Sequence, residues 1–131
     1  MSFRKVRDAH KTENTEDYLE LIAELLNNNG EARIVDIASK LGIAQATANK
    51  TIKRLQSQGY IKKEPYRSIF LTLKGQKIAS ASKKRHKIVL NFLLNLGVDF
   101  KSAKADSEGI EHHVSDKTLK KMDQLNSKKK L

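Results

Sequence analysis

Residues that bind metal ions in proteins are concentrated in the segment 108–113, Glu-Gly-Ile-Glu-His-His. In a helical turn, residues three and four positions apart share one face, so Glu108, Glu111 and His112 can converge. Carboxylates held this close together would repel each other, and a bound divalent cation would relieve that repulsion. This spacing indicates metal binding more strongly than any other segment of the sequence.

Other potential metal ligands lie far from this segment along the chain. Asp17 and Glu20 would share one face of a helix, and His86 lies in a long helical pattern. Taken singly, the two acids are more simply explained as surface residues, and the histidine as a surface or packing residue. Together with segment 108–112 they offer four carboxylates and two imidazoles, a set that suits Mn²⁺ or Fe²⁺. Six such side chains exceed the needs of one zinc ion and could hold two ions through bridging carboxylates.

Composition excludes several other kinds of site. The chain of 131 residues has no cysteine, which excludes a disulfide scaffold, a thiolate zinc site, an iron–sulfur cluster and a cysteine nucleophile. No apolar segment follows the first residues as in a signal peptide, and the apolar runs are too short to span a bilayer. We therefore expect a cytoplasmic protein without a membrane partner, and no pattern indicates a small-molecule substrate.

Positive charge is concentrated in the middle of the chain. The formal net charge is +11, and the segment from Lys40 to Lys77 holds nine basic residues and one acid, Glu64. This segment therefore carries +8 of the +11 in under a third of the chain. Such segregation favours a polyanionic partner.

The basic segment has the pattern of a winged helix-turn-helix. Apolar spacing predicts a short helix over 35–41, a turn at Gly42 and a second helix over 45–58. Two β-prone runs, 60–64 and 68–72, predict a hairpin wing after it. The predicted buried stripe of the second helix is Ala48, Ile52 and Leu55. Ala44 stands at the N-cap of this helix, where it cannot cap, at a cost of about 1 kcal/mol.

The polar face of the second helix is suited to reading DNA. Gln and Asn can pair bidentately with adenine, and Lys pairs with guanine. The predicted base-reading residues are Gln45, Thr47, Asn49, Lys50 and Lys53. The predicted phosphate contacts are Arg54, Lys62, Lys63 and Arg67. The alternative, that these charges merely solvate a helical surface, explains neither the wing nor the one-sided charge.

Helical patterns flank this segment on both sides. Thr15 is the predicted N-cap of a first helix that runs to about Asn27 and buries a stripe made of Tyr18, Ile22 and Leu25. Residues 1–14 show no periodic pattern and are predicted to form a flexible arm. A long helix is predicted from about Leu73 to Leu96, and a short one over 99–106. Ser115 is the predicted cap of a last helix, with an inner face made of Leu119, Met122 and Leu125.

The chain resembles the diphtheria-toxin-repressor family of metal-dependent transcriptional repressors, and within it the manganese-sensing regulators. The resemblance covers residues 15–125, and its most specific parts are the segment 16–20 (Glu-Asp-Tyr-Leu-Glu), the pair Arg85-His86 and the segment 108–113. It implies a homodimer and two metal ions per subunit. The implied ligands are Asp17, Glu20, His86, Glu108, Glu111 and His112, with His113 either beside the ligands or in a packing role.

The resemblance also implies the domain organisation. The expected fold is mainly α with a small β-hairpin wing, an N-terminal winged helix-turn-helix domain and a C-terminal helical dimerisation domain. We place the DNA-binding domain at 15–75, the metal-binding and dimerisation domain at 76–126, and a basic tail at 127–131.

Departures from the iron-sensing relatives favour manganese. Those relatives carry Met and Cys where this chain has Asp17 and Glu108, and a carboxylate where this chain has Leu90. We therefore expect Mn²⁺ as the cofactor, with Fe²⁺ as a possibility.

The resemblance implies a repressor of manganese-uptake genes, in which metal orders the dimer for a palindromic operator in double-stranded DNA. Two alternatives of the same class are an iron-responsive regulator and a metal-independent winged-helix DNA-binding protein. A di-metal enzyme is disfavoured because no substrate pocket is indicated and one acid pair lies in the DNA-binding domain. We expect no enzymatic activity.

Overall fold

The computed structural model describes the backbone of residues 3–65 and 68–129 and the side chains of residues 13–65 and 68–128. The described chain forms helices and one antiparallel hairpin, which confirms the expected fold class. The elements in chain order are α1 (Phe3–Asn29), α2 (Ile34–Leu41), α3 (Gln45–Ser57), β1 (Ile61–Lys63), β2 (Ile69–Leu71), α4 (Leu73–Asn95), α5 (Phe100–Ile110) and α6 (Asp116–Lys129). None of the helices in these ranges is both long and apolar enough to span a membrane.

The chain divides into two compact units, unit 1 (Met1–Ser80) and unit 2 (Ala81–Leu131). The division falls within the long helix α4 rather than after residue 75, where the sequence suggested it.

Helix α1 begins earlier than predicted. It is helical from Phe3, so Thr15 is not its N-cap and the arm predicted over 1–14 is helical from that residue on. The Thr15 side chain is instead buried, and its hydroxyl accepts a hydrogen bond of 3.0 Å from Nη1 of Arg54. The predicted helix start is wrong because the helix continues on the N-terminal side of Thr15 as far as Phe3, and the hydroxyl of Thr15 bonds to another helix instead of capping α1.

The core of unit 1 is formed by apolar residues from every element of the winged-helix pattern. Full burial of a valine, leucine or isoleucine side chain contributes about 1.5–3 kcal/mol to the free energy of unfolding. The predicted stripe of α1 is confirmed, and Leu19 joins it with no exposed surface. The buried cluster consists of Tyr18, Leu19, Ile22, Leu25, Ala32, Ile37, Ile52, Leu55, Ile61, Ile69 and Ala79.

The helix-turn-helix is formed as predicted. Gly42 has a φ of 68°, a left-handed conformation that glycine adopts without steric cost, and its amide donates to carbonyls at the end of α2. On α3, the predicted stripe of Ala48, Ile52 and Leu55 is fully buried. Because this stripe faces the core, the polar face of α3 points away from it. As expected, Ala44 makes no side-chain capping bond to α3.

The wing is fastened to the rest of unit 1 at its base. Strands β1 and β2 are antiparallel, with Ile61 opposite Leu71. The amide of Ile69 donates to the carbonyl of Ala32 at 2.8 Å, and the buried Ser68 hydroxyl accepts from the amide of Ala32 at 2.7 Å. The predicted hairpin is confirmed, and the loop before α2 holds it in place.

Helix α4 begins where the hairpin ends. The Thr72 hydroxyl accepts from the amide of Gly75 at 3.2 Å and donates to the carbonyl of Gly59 at 2.7 Å. It thereby caps the helix and joins it to the turn after α3. The predicted long helix is confirmed, since α4 ends at Asn95.

In unit 2, α5 and α6 pack beside the second part of α4. The Asp99 carboxylate caps α5 by accepting from the amide of Ser102, and α5 extends to Ile110, beyond the predicted end. Ser115 caps α6 as predicted, because its hydroxyl accepts from the amide of Thr118 at 3.2 Å.

The inner face of α6 differs from the prediction. Leu119 is buried, but Leu125 is 50% exposed and its neighbour Asn126 is buried instead. The Asn126 amide accepts from Asn95 and donates to the carbonyl of Ile88, both at 3.0 Å. Helix α6 continues to Lys129, so much of the predicted basic tail is helical.

Candidate metal centre and DNA-binding surface

Unit 2 brings together three of the predicted metal ligands. Nδ1 of His86 on α4 lies 3.2 Å from Oε2 of Glu111, and Nε2 of His112 lies 3.3 Å from Oε1 of the same carboxylate. Glu111 is the C-cap residue of α5, and His112 follows it in the turn toward α6. One helix and one turn therefore supply a carboxylate with an imidazole beside each oxygen.

The Glu111 carboxylate is buried, with 3% of its side chain exposed. Its Oε2 has no hydrogen-bond partner, because the contact with His86 has ion-pair distance without hydrogen-bond alignment. A buried acceptor left in this state costs about 1–3 kcal/mol, and more if it is charged. A cation bound between the carboxylate and the imidazoles would supply the missing interaction.

The donor set fits a divalent ion of the manganese type. Imidazole suits several transition metals and carboxylate suits Mn²⁺, whereas none of the predicted ligands is a sulfur donor that would favour a soft metal. An octahedral ion with bonds of about 2.1 Å holds neighbouring ligand atoms about 3 Å apart. The separations of 3.2 Å and 3.3 Å between the Glu111 oxygens and the two imidazoles are close to this value. Each carboxylate oxygen faces a different imidazole, an arrangement suited to a carboxylate that bridges two ions.

The other predicted ligands lie on α5 and on α1. Glu108 lies on α5 one turn before Glu111, where it is exposed, and it takes part in none of these contacts. In unit 1, Asp17 is exposed and Glu20 is partly buried on α1. The ring of His113 packs edge-on against His112, with 6.4 Å between ring centroids. His113 itself is exposed. Its role, and the role of the acids and the two other histidines as ligands, stays a prediction.

Arg85 contacts the same turn, a role that the sequence analysis did not assign. Its guanidinium donates to the carbonyl of Glu111 from Nε at 3.2 Å and from Nη2 at 2.9 Å, and to the carbonyl of Val114 at 2.8 Å. Its Nη1 pairs with Asp116 at 3.0 Å. The one signal available in the sequence was its position directly before His86.

The residues predicted to read bases lie on the outer face of α3. Gln45, Thr47, Lys50 and Lys53 are exposed, and Asn49 is partly buried. The core residues of α3 are on the opposite side, so the surface that the sequence predicts for DNA is free of core packing.

The predicted phosphate contacts are more varied. Lys62 is exposed and Lys63 is partly buried on β1, whereas Arg67 lies outside the described residues. Arg54 is partly buried, and its Nη1 donates to Thr15 at 3.0 Å and to Gln58 at 3.1 Å. Part of the Arg54 guanidinium therefore holds α3 against α1, a role not foreseen from its charge.

Both units match known domains. Residues 10–69 match the iron dependent repressor, N-terminal DNA binding domain, and residues 72–130 match the iron dependent repressor, metal binding and dimerisation domain. The chain therefore belongs to the iron-dependent repressor family, whose members are DNA-binding, metal-binding transcriptional regulators and not enzymes.

Similar curated proteins confirm the resemblance to manganese-sensing regulators. The chain is 52% identical over 117 residues to the transcriptional regulator MntR of Escherichia coli O6:H1, covering 89% of this chain and 76% of that protein. It is 53% identical over 117 residues to the transcriptional regulator MntR of Salmonella typhimurium, covering 89% of this chain and 74% of that protein.

A solved structure described as a manganese-dependent transcriptional repressor complex with manganese matches the fold. The TM-score is 0.79 at 27% identity, over 86% of this chain and 52% of that one. The chain thus spans about half the length of this structural match and about three quarters of the length of the curated relatives.

Proposed function

We propose that this chain is a manganese-responsive transcriptional repressor of manganese-uptake genes. It would act as a homodimer that binds a palindromic operator in double-stranded DNA when metal is bound. Such a regulator works where the chromosome is, so we propose a cytoplasmic location.

The observation that carries the proposal is the buried carboxylate of Glu111. Its Oε2 lacks a hydrogen-bond partner and lies beside an imidazole, within the region that matches a metal-binding domain. A structural ion pair would not leave this oxygen unsatisfied, whereas a metal ligand requires available lone pairs.

We propose that two Mn²⁺ ions bind per subunit, with Glu111 as a bridging ligand. His86 and His112 would each hold one side of that carboxylate, and Glu108, Asp17 and Glu20 would be the further ligands. The absence of sulfur donors among the proposed ligands and the names of the relatives support manganese over iron.

We propose that α3 enters the major groove and that the wing contacts the DNA backbone. The exposed polar side chains of α3 support base reading, and the charge of unit 1 supports phosphate contacts. A dimer presents two such helices, and two half-sites require one separation between them, about one helical turn of DNA or a multiple of it.

Metal would act by ordering the dimer rather than by touching DNA. The ion would restrict the motion of the residues that bind it. The dimer would then lose less conformational entropy when it binds its operator, so DNA binding would be more favourable. Coupling of this kind is typically about 1–3 kcal/mol, or about 5–150-fold in DNA affinity.

The test is capture of fragmented genomic DNA by the purified protein, with and without Mn²⁺, at one fixed salt concentration. We expect a few palindromic fragments to be enriched only with Mn²⁺. The Glu111→Gln variant should lose this metal response because a neutral amide replaces the central ligand.

The matched control is Asp106→Asn, which removes an exposed acid of the same helix that is not a proposed ligand. It should respond to Mn²⁺ like the wild type. Equal capture with and without metal would reject the proposed function, and a full Mn²⁺ response by Glu111→Gln would reject the ligand assignment.

A further inference from the structure

The side chain of Arg85 on α4 donates hydrogen bonds to the turn that carries Glu111 and His112. Three of the bonds that Arg85 donates end on backbone carbonyls of this turn, at Glu111 and Val114. The last carbonyls of a helix have no partner within the helix, so a guanidinium at the end of α5 satisfies groups that would otherwise need water. The Arg85 side chain is 25% exposed and is therefore largely enclosed by protein.

Arg85 and His86 are consecutive residues of α4. Their side chains leave the helix about 100° apart, so one can hold the turn while the other faces the Glu111 carboxylate. The residue that bonds to the turn is thus the direct neighbour, on the same helix, of the residue whose ring faces the carboxylate. A change in the bonds of Arg85 would alter the separation between the imidazole and the carboxylate.

We propose that Arg85 is a positioning residue of the metal centre, which fixes the backbone of Glu111 so that its carboxylate meets His86 and His112 at metal-binding distance. This inference rests on the proposed function, in which these three side chains bind the ion. Groups that orient metal ligands typically change metal affinity 10–100-fold when they are removed.

The planar fork of arginine suits this task better than a point charge. It presents five donors in fixed directions, whereas a lysine offers a compact ammonium on a flexible stem. The fourth bond, from Nη1 to Asp116, is of a different kind because the Asp116 side chain is 96% exposed. Loss of that exposed pair should leave the three carbonyl bonds and the metal centre intact.

The experiment measures Mn²⁺ affinity of the full-length protein without DNA, from the loss of the electron paramagnetic resonance signal of free Mn²⁺. We expect Arg85→Gln to weaken binding 10–100-fold and Arg85→Lys to weaken it to an intermediate degree. Asp116→Asn, the matched control, should remain within about 2-fold of the wild type.

Thermal melting of the metal-free proteins separates positioning from mere support of the fold. If Arg85 had only a structural role, its substitution would lower the melting temperature. At temperatures well below melting, the Mn²⁺ affinity would then be unchanged. Should Arg85→Gln fail to fold, Arg85→Lys decides, because weaker Mn²⁺ binding with an unchanged far-ultraviolet circular dichroism spectrum supports positioning. Wild-type Mn²⁺ affinity in a folded Arg85→Gln, or in Arg85→Lys, would overturn the inference.

Glu111→Gln in the same titration distinguishes this inference from the proposed function. If Glu111→Gln loses Mn²⁺ binding while Arg85→Gln keeps it, only the role of Arg85 is wrong. If Glu111→Gln keeps wild-type binding, the ligand set is wrong and the inference about Arg85 fails with it, whereas the proposed function is rejected only by equal DNA capture with and without Mn²⁺.

Discussion

Glycine at two helical positions illustrates how single residues are constrained. Gly75 lies in the first turn of α4, where a Cβ atom would overlap the backbone carbonyl oxygen of Tyr60 and contact Leu71 at 3.4 Å. Gly109 lies near the end of α5, where a Cβ would meet nothing within 4 Å. The same substitution should therefore have opposite effects at the two positions.

We expect Gly75→Ala to lower the free energy of unfolding by about 1–3 kcal/mol, because the methyl group must displace backbone. Gly109→Ala should instead raise it by up to about 1 kcal/mol through higher helix propensity. Urea unfolding of the metal-free proteins measures both. A stabilised Gly75→Ala would show that the turn after α3 can move away from α4 at little cost.

At the scale of the element, α5 depends on its cap. The Asp99 carboxylate accepts a hydrogen bond of 3.0 Å from the amide of Ser102. Hydrogen bonding from this backbone amide and from the Ser102 side chain lowers the pKa of Asp99 below its usual value. The cap stabilises the helix that ends at Glu111, and so it supports the proposed metal centre.

The lowered pKa of Asp99 predicts a pH-dependent contribution to stability. The charged cap contributes fully above the unfolded pKa of about 3.9, and this contribution is lost as pH falls through the lower folded pKa. Asp99→Asn keeps a capping oxygen without the charge. The wild type should melt above Asp99→Asn at pH 6, and this difference should shrink below about pH 4.

The measurement is the melting temperature of both proteins without metal, from pH 6 downward. Asp99→Ala should melt below Asp99→Asn throughout, since it has no capping oxygen. A difference between wild type and Asp99→Asn that persists undiminished at the lowest pH would contradict a contribution from the ionised cap.

At the scale of the whole molecule, the surface proposed for DNA differs from the rest of the chain in its positive charge. Most of the net positive charge lies in the stretch that forms the helix-turn-helix and the wing. Each lysine that neutralises a phosphate releases counterions from DNA, so operator affinity should fall steeply with salt.

We expect Lys62→Ala to reduce the slope of log affinity against log salt by about 0.9, because one phosphate contact is lost. Lys101→Ala, an exposed lysine of unit 2, is the matched control and should leave the slope unchanged. This slope is measured by fluorescence anisotropy with an operator fragment, at several salt concentrations and saturating Mn²⁺. Equal slopes for the two variants would remove Lys62 from the DNA-binding surface.

Local patterns predicted most of this fold. The stripe of α3, the turn at Gly42, the hairpin and the cap at Ser115 are each decided by residues within a few positions, and each is confirmed. In the candidate site, the pattern 108–113 drew attention to Glu111 and His112, and the Glu111 carboxylate lies beside the imidazoles of both His86 and His112. The role of these residues as ligands stays a prediction.

The structure differs from the sequence-based predictions where a residue's role depends on a partner far away along the chain. The hydroxyl of Thr15 accepts a hydrogen bond from Arg54, which is 39 positions away. The residues next to Thr15 in the sequence therefore do not show that its hydroxyl has a partner other than the end of a helix. Asn126 replaces Leu125 on the inner face of α6 because Asn95 and a carbonyl of α4 satisfy its amide. The contacts of Arg85 likewise depend on a turn 26 positions later.

The unsatisfied oxygen of Glu111 has a consequence for the lifetime of the protein in the cell. A chain that carries an unsatisfied buried acceptor gives up stability, and a ligand that binds only the folded state restores it. The metal-free form should therefore open more often and be cut sooner by proteases, which sample open states in proportion to their population. Turnover would then follow the supply of the ion, and a starved cell would hold fewer copies of the repressor as well as less active ones.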